Sequence, residues 1–251
     1  MNRIHTITIL AALACAALYI ACNSNSNSPT SNNNTGGHTF AFTVGSTAQY
    51  NQWTLDSTGA KMQSSEQLVH ETIIASGFTI AGVSGAYLVV DTIFNGDTIG
   101  TVASVDSVYT TTNGTTISQY GIVAKNAYTY SGGIINIPLH WNMVVDQGNT
   151  GGWVVDSSDT MISGSSITEK TNGKDMGDTT IMAGGSSLLS NHTQLNGSIT
   201  ITGFGTAPVK IDIYTSYTNP SAPSKYVVAP TKLSSYNIPG SERDLISWTV
   251  K

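Results

Sequence analysis

Cysteine is almost absent from this chain: its 251 residues include only Cys15 and Cys22. Both stand near the N-terminus, so the body of the protein cannot form an internal disulfide. A chain without disulfides must gain its stability from an ordinary hydrophobic core. The roughly 215 residues that follow the N-terminal region are enough for one substantial domain.

Charged side chains are also scarce, at 10% of the chain against about a quarter in typical domains. Ten basic and fifteen acidic residues give a formal charge of −5, which becomes −6 if Arg3 is removed with a leader. The closest basic residues, such as Lys170 and Lys174, are interleaved with acids such as Glu169. Because no basic patch can form there, the composition excludes nucleic acid as a partner.

Catalytic motifs are missing as well. The nearest approach to the Gly-x-Ser-x-Gly elbow of serine hydrolases is segment 82–86, which has Ala86 in place of the final glycine. We interpret that segment as a loop between strands. His70 and Glu71 begin like a His-Glu-x-x-His zinc motif, but Ile74 replaces the second histidine. These departures favour a protein that is not an enzyme and uses no cofactor.

The N-terminus carries the strongest signal that is present. After Arg3, an apolar run extends from Ile7 to Ala21, and its 15 residues are fewer than the ~20 that a spanning helix needs. The run is therefore predicted to be the core of a signal peptide, residues 1–21. Residues 19–22 read Tyr-Ile-Ala-Cys and resemble the lipobox of bacterial lipoproteins, with Tyr19 where leucine is usual.

That resemblance implies cleavage before Cys22, whose thiol would then carry acyl chains such as palmitate, and an anchor at the outer membrane of the cell envelope. Cleavage before Cys15, ordinary secretion and an uncleaved anchor remain open as alternatives. Residues 23–37 contain no apolar side chain. Because such a segment cannot offset its ordering entropy by burial, 22–37 is predicted to be a disordered tether with a reach of roughly 20 Å. The domain is then 38–251.

Beyond residue 38 the pattern is that of β-strands. From Ile135 to Val145 apolar residues occupy the odd positions, Trp141 among them, which predicts a strand with that face buried. A second alternating run covers 209–217, and shorter runs cover 40–44, 199–201 and 246–250. Residues 242–246 are the one place where a helical turn is expected. Two-residue hairpin turns are predicted at the Asn-Gly pairs 95–96, 113–114, 172–173 and 196–197.

These features predict an all-β domain formed by a single antiparallel, strongly curved sheet, either a half-barrel or a barrel, with a sandwich as the alternative. Pro138 cannot donate to a strand ladder, so its strand is placed at an edge or at a bulge. The body also resembles uncharacterised β-rich envelope lipoproteins, through Val44-Gly45-Ser46 at its start and Leu245-Ile246-Ser247-Trp248 at its end. That resemblance implies location and fold and supplies no active site.

Two pairs of acids are candidates for a Ca²⁺ site, Asp156 with Asp159 and Asp175 with Asp178. Neither has the alternating spacing of a calcium loop, so we interpret them as solvated turn residues and expect no metal. If the strand at 135–145 is inside out, His140 and Asn142 would instead face a ligand.

Three function classes follow. The first is a non-enzymatic, membrane-anchored lipoprotein whose β domain binds or scaffolds an apolar small molecule or an envelope protein. The second is an adhesion module that pairs through a sheet edge. The third is a hydrolase whose site is assembled from distant residues, for which a buried pair of acids would be evidence.

Overall fold

The structure is a computed structural model that describes residues 38–121, 129–130, 133–134, 141–162, 165–203, 205–218 and 223–251. The leader, Cys22, the tether, Pro138 and His140 lie outside the described residues, as do the side chains of Asp156 and Asp159. Across these ranges the chain contains no α-helix. No helix among them is long and apolar enough to cross a membrane.

Sixteen strands and one short 3-10 helix, Gln63–Ser65, make up the described part of the chain. The strands are β1 (Thr47–Leu55), β2 (Gln67–Ile80), β3 (Val83–Asn95), β4 (Val102–Thr112), β5 (Thr116–Gly121), β6 (Thr129–Tyr130), β7 (Gly133–Ile134), β8 (Trp141–Asp146), β9 (Trp153–Ile162), β10 (Ser165–Ala183), β11 (Ser186–Ile201), β12 (Gly205–Ser216), β13 (Pro223–Val228), β14 (Thr231–Leu233), β15 (Tyr236–Ile238) and β16 (Gly240–Thr249).

Twelve of the strands form one antiparallel sheet in the order β8-β5-β4-β3-β2-β1-β16-β13-β12-β11-β10-β9. Its two edge strands, β8 and β9, are consecutive in the chain and lie side by side. Trp153 Nε1 donates a hydrogen bond to the carbonyl oxygen of Met143 at 2.7 Å across this seam. The sheet is thus nearly closed into a barrel, which confirms the predicted curved sheet and excludes the sandwich.

Strand β12 confirms the alternating pattern predicted for 209–217, because Ile211, Ile213 and Thr215 are buried on the inner face. Strand β8 does not follow its predicted pattern. Asn142 is 1% exposed and faces inward, whereas Trp141 is half-buried on the outer face. The prediction that the odd-numbered side chains are inside is therefore wrong at Trp141 and Asn142, whereas Met143 packs against inner-face residues such as Ile211.

Two local features explain the reversal in β8. The indole of Trp141 contacts Tyr120 and donates from Nε1 to the carbonyl oxygen of Ile80 at 2.8 Å, because the tip of the β2–β3 hairpin folds over the outer face of the sheet. A bulge then places Val144 opposite no residue of β5, and Val144 and Val145 are both buried. A bulge shifts the side-chain alternation by one residue, and the sequence pattern does not reveal it.

None of the four Asn-Gly pairs forms the predicted two-residue turn, and only two of them lie at turns. Asn113-Gly114 lies in the β4–β5 turn and Asn95-Gly96 begins a longer connection, but pairs 172–173 and 196–197 lie within β10 and β11. Asn172 is paired with Asn196. Gly173 and Gly197 allow close packing and do not form turns. The Trp153 ring lies on Gly173, and a Cβ on Gly197 would overlap the carbonyl oxygen of Lys170.

We expect Gly197→Ala to lower the free energy of unfolding by about 2 kcal/mol, since the overlapping atom belongs to the backbone of the paired strand and cannot move aside cheaply. Urea unfolding measures the loss. Gly100→Ala is the matched control, because its Cβ would meet no atom closer than 3.9 Å. Equal midpoints for the two variants would contradict the packing explanation.

Three shorter predictions also change. Segment 40–44 is not a strand; it crosses one end of the barrel with Phe40 buried. Residues 242–246 belong to β16 and form no helical turn. Ile246 is the extra residue of a bulge and is exposed, whereas Leu245 before it is buried. Ala81-Gly82 is the β2–β3 turn, so Val83–Ala86 begins a strand and is not a loop.

The β10–β11 hairpin closes one end of the barrel. Beyond a register shift between Asp175 and Asp178 its tip turns inward, where Ala183 and Leu188 pack against inner-face residues that include Tyr50. Gly184 N donates to the carbonyl oxygen of Leu245 at 3.0 Å. We call this end, formed by the hairpin tip and segment 38–46, the plugged end.

Candidate functional site

A group of polar and charged side chains lies inside the barrel, next to the plugged end. It consists of Tyr50, Gln52, Glu71, Asp91 and Arg243, which we call the arginine cluster. Glu71 is directly opposite Asp91 in the β2–β3 pair, and Gln52 is opposite Arg243 in the β1–β16 pair. Since directly opposed residues point to the same face, four strands place these side chains together on the inner face.

Arg243 is the centre of the cluster. Its Nη1 donates to Asp91 Oδ2 at 2.8 Å, and its Nε and Nη2 donate to Gln52 Oε1 at 3.1 and 2.9 Å. The guanidinium also lies 5.4 Å from the centroid of the Tyr50 ring. Tyr50 is fully buried and donates from its hydroxyl to Glu71 Oε1 at 3.3 Å. About a fifth of the Arg243 and Asp91 side chains remains exposed, at 21% and 19%.

The pKa of Glu71 is raised to about 8, mainly because the side chain is buried. The negative charge of Asp91 contributes to this increase, and its effect is larger than the opposite effect of Arg243. Burial would lower the pKa of Arg243, but Asp91 and Glu71 hold it above its ordinary value. At neutral pH Glu71 therefore keeps its proton, and Arg243 is charged beside Asp91. The guanidinium of Arg243 is thus paired with an acid in the barrel interior, which lowers the cost of burying both groups.

The cluster meets the condition set for a hydrolase, a buried pair of acids, yet its chemistry is that of an ionic clamp. Asp91 is held by Arg243, and Glu71 keeps its proton beside the Tyr50 hydroxyl. Three of the five N–H donors of Arg243 already bind protein oxygens. The arrangement ties β1, β2, β3 and β16 together.

None of the five residues was a predicted site residue. A signal for two of them is present in the sequence, because Val69-x-Glu71-x-Ile73 and Val89-x-Asp91-x-Ile93 each place an acid in the middle of an apolar alternating run. A charge at an inward position must find a partner. The sequence pattern does not say which partner.

The predicted candidates Asp175 and Asp178 lie in different surroundings, one buried and one exposed. Asp175 is 4% exposed and accepts hydrogen bonds from Asn191 Nδ2 at 2.8 Å, from Gly177 N at 2.9 Å and from Gly148 N. Asp178 is exposed and accepts from the Tyr217 hydroxyl at 2.6 Å. The interpretation of a solvated turn acid is therefore wrong for Asp175, which fastens the 147–152 loop to β10.

The carboxylate of Asp175 is thus surrounded by N–H donors, where a cation would need further oxygen ligands. Burial raises the pKa of nearby Asp146, and the charge of Asp175 raises it further, against the hydrogen bond from Asn149. Within the described ranges, no three His, Cys, Asp or Glu side chains are placed to hold a metal ion. Asn142 is buried, and its role as a ligand-facing residue stays a prediction.

We expect millimolar Ca²⁺ to leave the thermal midpoint of the domain unchanged, because a bound ion would have to displace the N–H donors of Asp175. Melting curves with Ca²⁺ and with a chelator test this expectation. A rise of several degrees that disappears in Asp178→Asn would contradict it, since ligand binding to the folded state raises stability.

Comparisons with known proteins give one similarity in fold. No protein-family model matches the chain, and no curated protein matches it in sequence. A crystal structure described as that of a "putative lipoprotein" from Parabacteroides distasonis ATCC 8503 superimposes with a TM-score of 0.52. The match covers 85% of this chain and 100% of that chain, at 10% sequence identity. The two proteins share the fold.

Proposed function

We propose that this protein is an exported lipoprotein of the cell envelope, attached to the outer membrane through an acylated Cys22. In this proposal residues 1–21 are the leader, 22–37 are the tether and 38–251 are the folded domain. The observation that carries it is the lipobox-like Tyr19–Cys22 followed by a polar tether. The fold shared with the Parabacteroides protein supports the same conclusion.

We further propose that the domain is a non-enzymatic binding or scaffolding module. The arginine cluster supports this, because its charged groups bind one another and join four strands. Adhesion through a free sheet edge has less support. The two edge strands lie beside each other, and the Trp153 indole donates a hydrogen bond to the carbonyl oxygen of Met143 on β8. That edge carbonyl is therefore already bound within the chain.

Replacing Cys22 with alanine is expected to abolish the incorporation of labelled palmitate and to leave an unprocessed precursor or released protein. Each buried methylene of an acyl chain contributes about 0.8 kcal/mol to membrane attachment, so the loss of several chains removes the anchor. Metabolic labelling followed by membrane fractionation gives the result. Cys15→Ala is the matched control and should retain the label; label in the Cys22→Ala protein would refute the anchor.

A further inference from the structure

We propose that the plugged end of the barrel rests directly on the lipid bilayer to which the chain is anchored. The inference rests on the proposed attachment through the N-terminus. It adds an orientation and a contact surface: the domain stands with the β10–β11 tip and segment 38–46 against the lipid, and with the opposite end outward.

The path of the chain places the anchor at this end. Segment 38–46 runs across the plugged end, where Phe40 N donates to the carbonyl oxygen of Gly114 and Gly45 N donates to that of Ile73, both at 2.7 Å. In the proposed arrangement, Cys22 precedes this segment by residues 22–37, whose predicted reach as a tether is roughly 20 Å. Strand β1 alone, with nine residues, spans about 30 Å. The plugged end therefore stays nearer to the membrane than the opposite end.

Charge is distributed unevenly between the two ends. The segments that approach the plugged end contain no Asp, Glu, Lys or Arg over 39–55, 72–90, 107–121, 179–191, 213–218, 223–224 and 245–250. Asp178 and Lys251 are the exposed charges left near it, and Asp178 accepts from Tyr217. Ion pairs instead occupy the outer face nearer the opposite end, where Lys61 and Lys225 bind Glu242 and Asp244.

Exposed apolar side chains supply the contact itself. Val44, Ile74, Val250 and Met182 are 41%, 51%, 46% and 72% exposed. The first three lie close together, since Gly45 N bonds to the carbonyl oxygen of Ile73 and Lys251 N bonds to Ser46 Oγ at 3.4 Å. Met182 is two residues from Gly184, which is hydrogen-bonded to β16.

A charge-poor face with apolar side chains suits a lipid surface for two reasons. Its apolar groups gain by leaving water, and it brings no ionised group into the interface to be desolvated. A mature chain with a net charge of −6 also avoids repulsion from anionic lipids when its charges lie away from the membrane.

In the test, the mature chain is attached to vesicles, and fluorescent labels report which end of the barrel contacts lipid. Cys22→Ser protein with an N-terminal hexahistidine tag keeps every described residue and binds nickel-chelating lipids in phosphatidylethanolamine–phosphatidylglycerol vesicles. Single cysteines at the plugged end, Ile74→Cys and Val250→Cys, carry an environment-sensitive fluorophore. Val102→Cys and Ile99→Cys are the matched controls, since these apolar residues are 49% and 66% exposed at the opposite end.

Nitroxide-labelled lipids should quench the plugged-end fluorophores at least about twofold more than the controls and shift their emission to the blue, as side chains at the interface do. Equal quenching at both ends, or none at 74 and 250, would overturn the proposal. Protection of those labels without lipid, together with a dimer in solution, would assign the surface to a second copy instead. Because the tag supplies the attachment, the result does not depend on acylation of Cys22.

Discussion

Arg243→Met will lower the free energy of unfolding by about 4 kcal/mol. The substitution keeps an apolar side chain of similar length but leaves the Asp91 carboxylate, which is mostly buried, without its cation. Removing one partner of a buried ion pair typically costs about 3 to 5 kcal/mol because the remaining charge is uncompensated. Urea unfolding at pH 7, followed by circular dichroism, measures the change.

The matched control for this substitution is Lys225→Met, on the outer face of the same sheet. Lys225 also pairs with two acids of β16, Glu242 and Asp244, but it is more exposed, and we expect a loss below about 1 kcal/mol. Adding Asp91→Asn to Arg243→Met should restore part of the stability. If both lysine and arginine variants lose the same amount, the arginine cluster is not a clamp.

The class of fold follows from the sequence because alternation with a period of two is a local property. It is visible in 209–217, which became β12 as predicted, and it requires a sheet with one buried face. Bulges are different. Val144 and Ile246 are each the extra residue of a β-bulge. After each bulge the alternation of inward and outward side chains is shifted by one residue.

Asn-Gly pairs show a second limit of local reasoning. The dipeptide suits a tight turn because its residues accept positive φ angles, and Gly114 does so at +97°. Gly173 and Gly197 are needed for another property, the absence of a side chain where Trp153 and the backbone of β10 approach. Sequence alone does not separate the two uses.

The arginine cluster depends on a long-range pairing. Strand β1 lies beside β16, so Gln52 meets Arg243 across almost the whole length of the chain. The acids at 71 and 91 could be recognised as inward-facing from their alternating runs, but their cation could not be identified without the strand order. The hydrogen-bonded donors around Asp175 come from three elements and leave no spacing in the sequence.

Between pH 5 and pH 8 the free energy of unfolding should fall by about 3 kcal/mol because of Glu71 alone. The pKa of this carboxyl rises from 4.5 in the unfolded chain to about 8 in the folded one. Between these values only the folded state binds the proton, so stability falls by up to about 1.4 kcal/mol per pH unit. Below pH 4.5 the contribution is fully present, and above pH 8 it is lost.

Glu71→Gln isolates this contribution because glutamine keeps the shape and cannot ionise. Its stability should therefore change less with pH than that of the natural protein, and the gap between the two should widen in favour of the variant as pH rises to 8. Glu66→Gln, outside the cluster, is the control and should follow the natural protein. Parallel curves for Glu71→Gln and the natural protein would mean that Glu71 is ionised in the folded state. Arg243 would then have to neutralise both acids.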